Sequence, residues 1–408
     1  MLKNMKNKIV FLTVILLLFF YLVNGQGSWL QRADFCGANG RCVFSFSIGG
    51  KGYVGCGLDT NTMLTSEFWE YDPSTNIWTR KANFGGGPRY GASGFSIGNK
   101  GYAGLGNYNN ILKNDFWEYD PSTDTWTQIA NFGGTNRWTQ VGFSIGNKGY
   151  IGTGEDNSGA SNDFWEYEPV LNTWSQKDSF PGQARFAAVG FSIGPKGYIG
   201  TGGYYDSLGI SLLQDFWEYD PTLDTWIQKA NFPSDKRCQS AAFSIGNCGY
   251  IGVGDEGNGA VLEDFWQYFP VTNQWTQKAN VPGGTRDEAA CFSIGNSGYI
   301  GIGSDIGYIN DFWQYRPDDL EINENIIKTF ISVFPNPFSS ETTVKFNEYL
   351  KNASLTLCNI FGQELKIIKN ISGQEIKLQR DNLSSGIYFI RFTQDNKTIA
   401  TDKLIITE

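Results

Sequence analysis

Six arginines stand at positions where their chemistry could be pooled. Arg41, Arg89, Arg137, Arg185, Arg237 and Arg286 each lie a few residues before a copy of Phe-Ser-Ile-Gly. Guanidinium groups gathered around one opening could hold carboxylates through paired N–H donors. They could equally brace the scaffold, with acids such as Asp115 or Asp163 as partners, and the residue types fit both roles. Beside three of them stand Tyr90, Trp138 and Phe186, whose rings could stack on a sugar, while other repeats place Cys42, Cys238 and Asp287 there. Of the 13 tryptophans, Trp138 alone has no counterpart in the other repeats, so packing does not account for it and it is expected at the centre of a ligand site. Asp59, Glu155, Asp156, Asp206, Asp255, Glu256 and Asp305 are acids on the same set of loops. Paired carboxylates can do acid–base or glycosidic chemistry, but solvated loop charge is the simpler reading. Asp255-Glu-Gly-Asn lacks the spacing of an EF-hand calcium loop. The chain has no histidine, which excludes His-activated nucleophiles and His-ligated metals. We therefore expect no metal and no cofactor, and we assign no catalytic residue.

The elements that must position these residues are read from repetition. Phe-Ser-Ile-Gly begins at Phe46, Phe95, Phe143, Phe191, Phe243 and Phe292. A Phe-Trp pair follows in each unit, at Trp69, Trp117, Trp165, Trp217, Trp266 and Trp313. In five units a Tyr is followed seven positions later by Trp, as in Tyr167 and Trp174. Each unit reads as four short strands. The third, for example, runs through Phe143-Ser-Ile-Gly, a tight Asn147-Lys148 turn, Gly149 to Gly154, Asp163 to Tyr167, and a strand starting at Trp174. The third strand carries aromatics on both faces, as a sheet covered on both faces requires. The first strand carries small residues suited to a crowded axis. Repeats of this kind predict an all-β fold, a six-bladed β-propeller followed by a small Ig-like β-sandwich. The sixth unit lacks its terminal Trp, whereas Ser28-Trp29-Leu-Gln-Arg-Ala-Asp-Phe35 matches a fourth strand, so the N-terminal segment is expected to close the ring.

The glycine-rich second strands, the Asp before the third strand and the Tyr-x6-Trp spacing resemble the kelch repeat over about residues 28–317. Gly-x-Gly usually stands where that family has adjacent glycines. The resemblance implies that the loops joining strands two and three, which differ in every unit, share one face with the arginines. Some six-bladed members are sugar epimerases. Galactose oxidase has similar blades but needs copper-ligating histidines, which are absent here.

The termini carry addresses. Lys3, Lys6 and Lys8, the apolar run Ile9 to Val23 and a small-residue cleavage site read as a signal peptide over residues 1–25, with Gln26 the new N-terminus. The propeller is assigned to 26–317, a polar acidic linker to 318–331, and a terminal domain to 332–408. Pro335-Asn336-Pro337, Gly362-Gln363 and Gly386-Ile-Tyr388-Phe resemble the C-terminal sorting domain of the type IX secretion system of Bacteroidetes. That resemblance implies export, a secreted or surface-attached product, the secretion machinery as partner, and no transmembrane helix in the mature chain. Seven cysteines in an oxidising compartment leave at least one unpaired; Cys42 and Cys291 could bridge neighbouring first and last blades or stay as buried thiols. A net charge of −9 disfavours nucleic acid as partner. The expected function is a secreted or surface module that binds a glycan or a protein on the variable-loop face. The alternatives are a carbohydrate-active enzyme such as an epimerase, or a structural coat protein.

Overall fold

The computed structural model describes residues 26–257, 259–317, 331–359, 364–394 and 397–408, and these contain strands and no helix. The proposed leader, most of the linker and the Gly362-Gln363 motif lie outside the described residues. The chain divides into two compact units, one ending at Asp318 and one from Asp319 to Glu408.

The first unit contains six four-stranded antiparallel sheets. In the third, Val141–Ile145, Lys148–Gly152, Phe164–Glu168 and Thr173–Lys177 pair in sequence order. The innermost strands, Phe44–Ile48, Ser93–Ile97, Val141–Ile145, Val189–Ile193, Ala241–Ile245 and Ala290–Ile294, pack each against the next, and the last packs against the first. That makes a closed six-bladed propeller. The sixth blade takes its outer strand from the N-terminus: Ser28–Gln31 pairs with Tyr308–Arg316, setting Trp29 opposite Tyr315. Trp29 Nε1 donates to the Ala279 carbonyl at 2.9 Å.

Each core lies between two blades. Phe164 stacks on Tyr150 of its own blade at 5.5 Å and meets Tyr219 and Trp226 of the next at 4.8 and 5.0 Å. This contact explains the Tyr-x6-Trp spacing: the pair projects from one blade onto the Phe of the preceding one, and such edge-to-face packing adds to plain burial. The glycine of Lys-Gly-Tyr is needed for the same contact. A Cβ on Gly149 would fall 2.2 Å from the Phe95 ring of the preceding blade.

In the second unit the long strand Glu341–Asn359 pairs with Ile331–Phe334, Glu364–Gln379 and Gly386–Gln394, and the last of these pairs with Lys397–Ile406. Val344, Leu355, Ile390, Phe392 and Leu404 fill its core. Asn336 ties the first motif to the last strand: its side chain donates to the Lys403 carbonyl at 2.7 Å and accepts from the Ile405 N–H at 2.8 Å. Pro335 offers its carbonyl to the Thr342 hydroxyl at 2.6 Å, and Pro337 precedes the buried Phe338. Gly386 opens the strand that carries Tyr388, whose hydroxyl donates to the Ser384 carbonyl at 2.8 Å.

Candidate ligand-binding cavity

Five of the six arginines are structural. Arg89, Arg137, Arg185, Arg237 and Arg286 are buried to 1 % exposure or less. Each forms a two-pronged ion pair with the Asp immediately before the Phe-Trp pair of its own blade; Arg185 meets Asp215 at 2.7 Å on both prongs. The others pair Arg89 with Asp115, Arg137 with Asp163, Arg237 with Asp264 and Arg286 with Asp311. Each of these Asp carboxylates also accepts the indole N–H of its Phe-Trp pair, at 2.8 Å in all five blades. Arg89, Arg137, Arg185 and Arg237 further donate to the carbonyl of a positive-φ residue in the second strand or just after it, such as Thr153, and lie over a Phe ring such as Phe132. These donors are used within the scaffold, so the structure does not bring six arginines together as a ligand set.

The brace has a pH signature. Burial alone would raise Asp115, Asp215 and Asp264, but hydrogen bonds and charge from their arginines outweigh it and hold all three below the ordinary carboxylate value. Carboxyls depressed in the folded state contribute stability above their unfolded pKa of about 3.9 and lose it as pH falls through the folded value. The melting temperature should therefore drop as pH falls below about 4, and Asp115→Asn should flatten that drop. A wild-type melting curve unmoved between pH 5 and 3 would contradict the sign.

Arg41 is different, and the reason is register. Past the arginine position each blade places one residue that pairs with its own two-to-three loop, then one with positive φ. The paired residues are Arg41 with Leu58, Tyr90 with Asn107, Trp138 with Glu155, Phe186 with Gly203, Cys238 with Asp255 and Asp287 with Ser304. The positive-φ residues are Cys42, Gly91, Thr139, Ala187, Gln239 and Glu288. Arg41 thus aligns with Tyr90 and Trp138, and Gly40 holds the place of the other arginines, which corrects the sequence alignment of Cys42 with Trp138. The spacing carried the signal, because Arg41 precedes Phe46 by five residues and Arg89 precedes Phe95 by six. Gly40 admits the Tyr308 ring, which a Cβ there would meet at 2.4 Å. Glu67 stands where other blades have Asp and accepts from Trp69 and the Ala38 N–H at 3.1 and 3.0 Å.

The positive-φ residues form a collar around the axis. Gly91 N–H donates to the Cys42 carbonyl at 3.1 Å, Thr139 to Gly91 at 2.9 Å, Ala187 to Thr139 at 2.9 Å, Gln239 to Ala187 at 3.0 Å and Glu288 to Gln239 at 3.1 Å. Gly91 serves twice: its φ of +64° suits glycine, and Trp138 lies 3.1 Å from where its Cβ would be.

Above the collar is a cavity of ≈ 630 Å³. Arg41, Tyr90, Trp138, Phe186 and Cys238 line it from the variable position, and Cys42, Thr139, Ala187, Gln239 and Glu288 from the collar. The loops add Tyr205, Glu155 and Asp255. Tyr90 meets Trp138 edge to face at 5.3 Å, and Phe186 meets Tyr205 at 4.9 Å. Arg41 faces Glu288 at 3.5 Å. Asp287 instead accepts the Ser304 hydroxyl at 2.7 Å. Burial, reinforced by neighbouring acids, raises Glu155, Asp287 and Glu288 above the ordinary carboxylate range. Burial and the charges of Asp255, Asp287 and Glu288 push the Cys238 thiol up to about 12, so it is not a thiolate nucleophile at neutral pH.

Acids read from the sequence also serve their own loops, and Asp255 itself accepts the Gly257 N–H at 2.6 Å. Asp59 accepts the N–H groups of Asn61 and Met63 at 2.8 Å, Asp156 accepts from Ser158 and Thr135 at 2.7 Å, and Asp206 accepts from Leu208 at 2.7 Å. Asp305 accepts the Thr285 hydroxyl at 2.5 Å. Tyr205 and Glu288 were not singled out by sequence reading; one lies in a length-variable loop and the other one residue past a position that varies in type. All seven cysteines are free thiols, and Cys291 Sγ lies 3.3 Å from the Ala242 carbonyl rather than in a bridge with Cys42. Among the described residues, no cluster of three or more His, Cys, Asp or Glu could hold a metal ion, and no helix is long and apolar enough to cross a membrane.

Comparisons with known proteins agree with this architecture. The propeller unit is similar to the solved structure of YjhT, with a TM-score of 0.56 at 16% identity, covering 69% of this chain and 96% of that one. That likeness concerns the fold. Residues 332–407 match the family described as the secretion system C-terminal sorting domain. The terminal unit is a type IX sorting domain, and the protein is exported, to be secreted or attached at the cell surface. No curated protein matches the chain.

Proposed function

We propose that the exported propeller is a binding module whose ligand, a glycan, occupies the cavity above the collar. One observation carries this reading. The six residues at the variable position, Arg41, Tyr90, Trp138, Phe186, Cys238 and Asp287, differ in type although the braces and cores beneath them repeat almost unchanged. Blade packing sets a repeated residue; it does not set these. The cavity is in the size range of small-molecule sites and holds aromatic rings beside polar groups, the mixture that sugars require. The loops that rim it carry exposed Met63, Ile111, Tyr205 and Ile210, which extend the contact surface.

The sequence resemblance to kelch repeats supports the same face, since it assigns the variable loops there. It also supplies the second reading, a sugar epimerase, which the half-buried acids with raised pKa values, Glu155 and Glu288, favour as candidate proton carriers. A glycan array probed with the exported protein tests the primary reading. Binding of a defined glycan class is expected; a blank array together with turnover of a reducing sugar would favour the epimerase.

A further inference from the structure

The cavity is chemically two-sided, and this goes beyond its being a glycan site. One side is aromatic: Tyr90, Trp138, Phe186 and Tyr205. The other is acidic: Asp255 and Glu288 line it, and Asp287 adjoins them. Arg41 is the one cation among the lining residues, and it is turned to Glu288 and to the Tyr308 ring, 5.7 Å away. Glu288 Oε1 accepts from Gln239 Nε2 at 2.8 Å, while the buried Oε2 faces Arg41 Nε at 3.5 Å, with the Cys42 thiol also bonded to this carboxyl. Three carboxylates, Glu155, Asp255 and Glu288, line the cavity against this one guanidinium, and a cationic ligand lowers the cost of holding them together.

Resting on the glycan reading above, we propose that the ligand carries a free ammonium group on a sugar ring, a de-N-acetylated amino sugar, with its ring against the Trp138 side and its ammonium against Glu288 and Asp255. An ammonium supplies three donors and one positive charge, and aromatic faces around it add cation–π attraction. It also offsets the carboxylate excess that a neutral or anionic sugar would leave in place. Burial and mutual repulsion raise Asp287 and Glu288 even though the Arg41 charge pulls both down, so one guanidinium does not neutralise the acidic side.

The test uses two probes with the same backbone and different charge. Glucosamine oligomers and their fully N-acetylated counterparts are titrated into the exported protein by calorimetry near pH 6.5, alongside the array. The amine form is expected to bind at least about tenfold more tightly. Glu288→Gln and Asp255→Asn are each expected to remove most of that preference, with circular dichroism confirming the fold; Asp255→Asn suffices if Glu288→Gln is unfolded. Equal affinity, or preference for the N-acetylated form, overturns the ammonium assignment and leaves glycan binding standing. Binding of neither probe while the array shows another glycan also overturns it. Binding of neither with a blank array overturns both readings.

Discussion

Arg137→Leu should destabilise the propeller by about 3–5 kcal/mol, the range for breaking one side of a buried ion pair. The guanidinium contacts both oxygens of Asp163, the Thr153 carbonyl and the Thr135 loop, so its loss leaves a half-buried carboxylate without its cation and the Thr153 carbonyl without this donor. The Trp165 N–H that also reaches Asp163 does not replace a charge. Denaturant melts of wild type and variant check this. A shift below about 1 kcal/mol would mean that the pair behaves as a surface ion pair, despite the burial of Arg137. Arg137→Lys should recover only part of the loss, because an ammonium cannot make the two-pronged contact.

Removing residues 26–35 should cost still more. Trp29 sits 5.1 Å from Phe265 and 5.0 Å from Tyr315, and Phe35 packs edge to face on Trp78 at 4.9 Å. Losing one large buried aromatic typically costs about 3–5 kcal/mol, and here the buried Phe35 and the half-buried Trp29 go together with a strand ladder. The Tyr308–Arg316 strand also becomes a bare edge, open to pairing with another chain. The truncated protein should melt at least about 10 °C lower, at roughly 2–4 °C per kcal/mol for a domain of this size, and should aggregate. A truncation that melts with wild type would show that the ring does not depend on this strand.

These two outcomes rest on features legible in the sequence. Six copies of Phe-Ser-Ile-Gly, the Phe-Trp pairs and the orphan Trp29 segment give blade count, strand order and closure, because each is fixed by a contact that recurs in every blade. The role of the arginines was visible as a pair of alternatives and no further. Sequence places Arg137 and Asp163 in one repeat but does not say that the guanidinium turns inward. The register of blade 1 was misleading for a physical reason: Arg41 occurs one position late, where Gly40 and Tyr308 replace the brace. The cavity itself was least legible. Its walls come from loops far apart in sequence, and only the collar of positive-φ residues, five of which are not glycine, brings Trp138, Tyr205 and Glu288 to one opening.

The central claim is that the braces carry the fold and the variable position carries the ligand. Trp138→Ala tests it most directly, using whichever glycan the array identifies. Trp138 is partly exposed over Gly91, so its truncation should leave the melting temperature within a few degrees of wild type. Affinity measured by calorimetry should fall by about 2 kcal/mol or more, roughly thirtyfold. Unchanged affinity in a folded Trp138→Ala protein would contradict the account and move the site away from the collar.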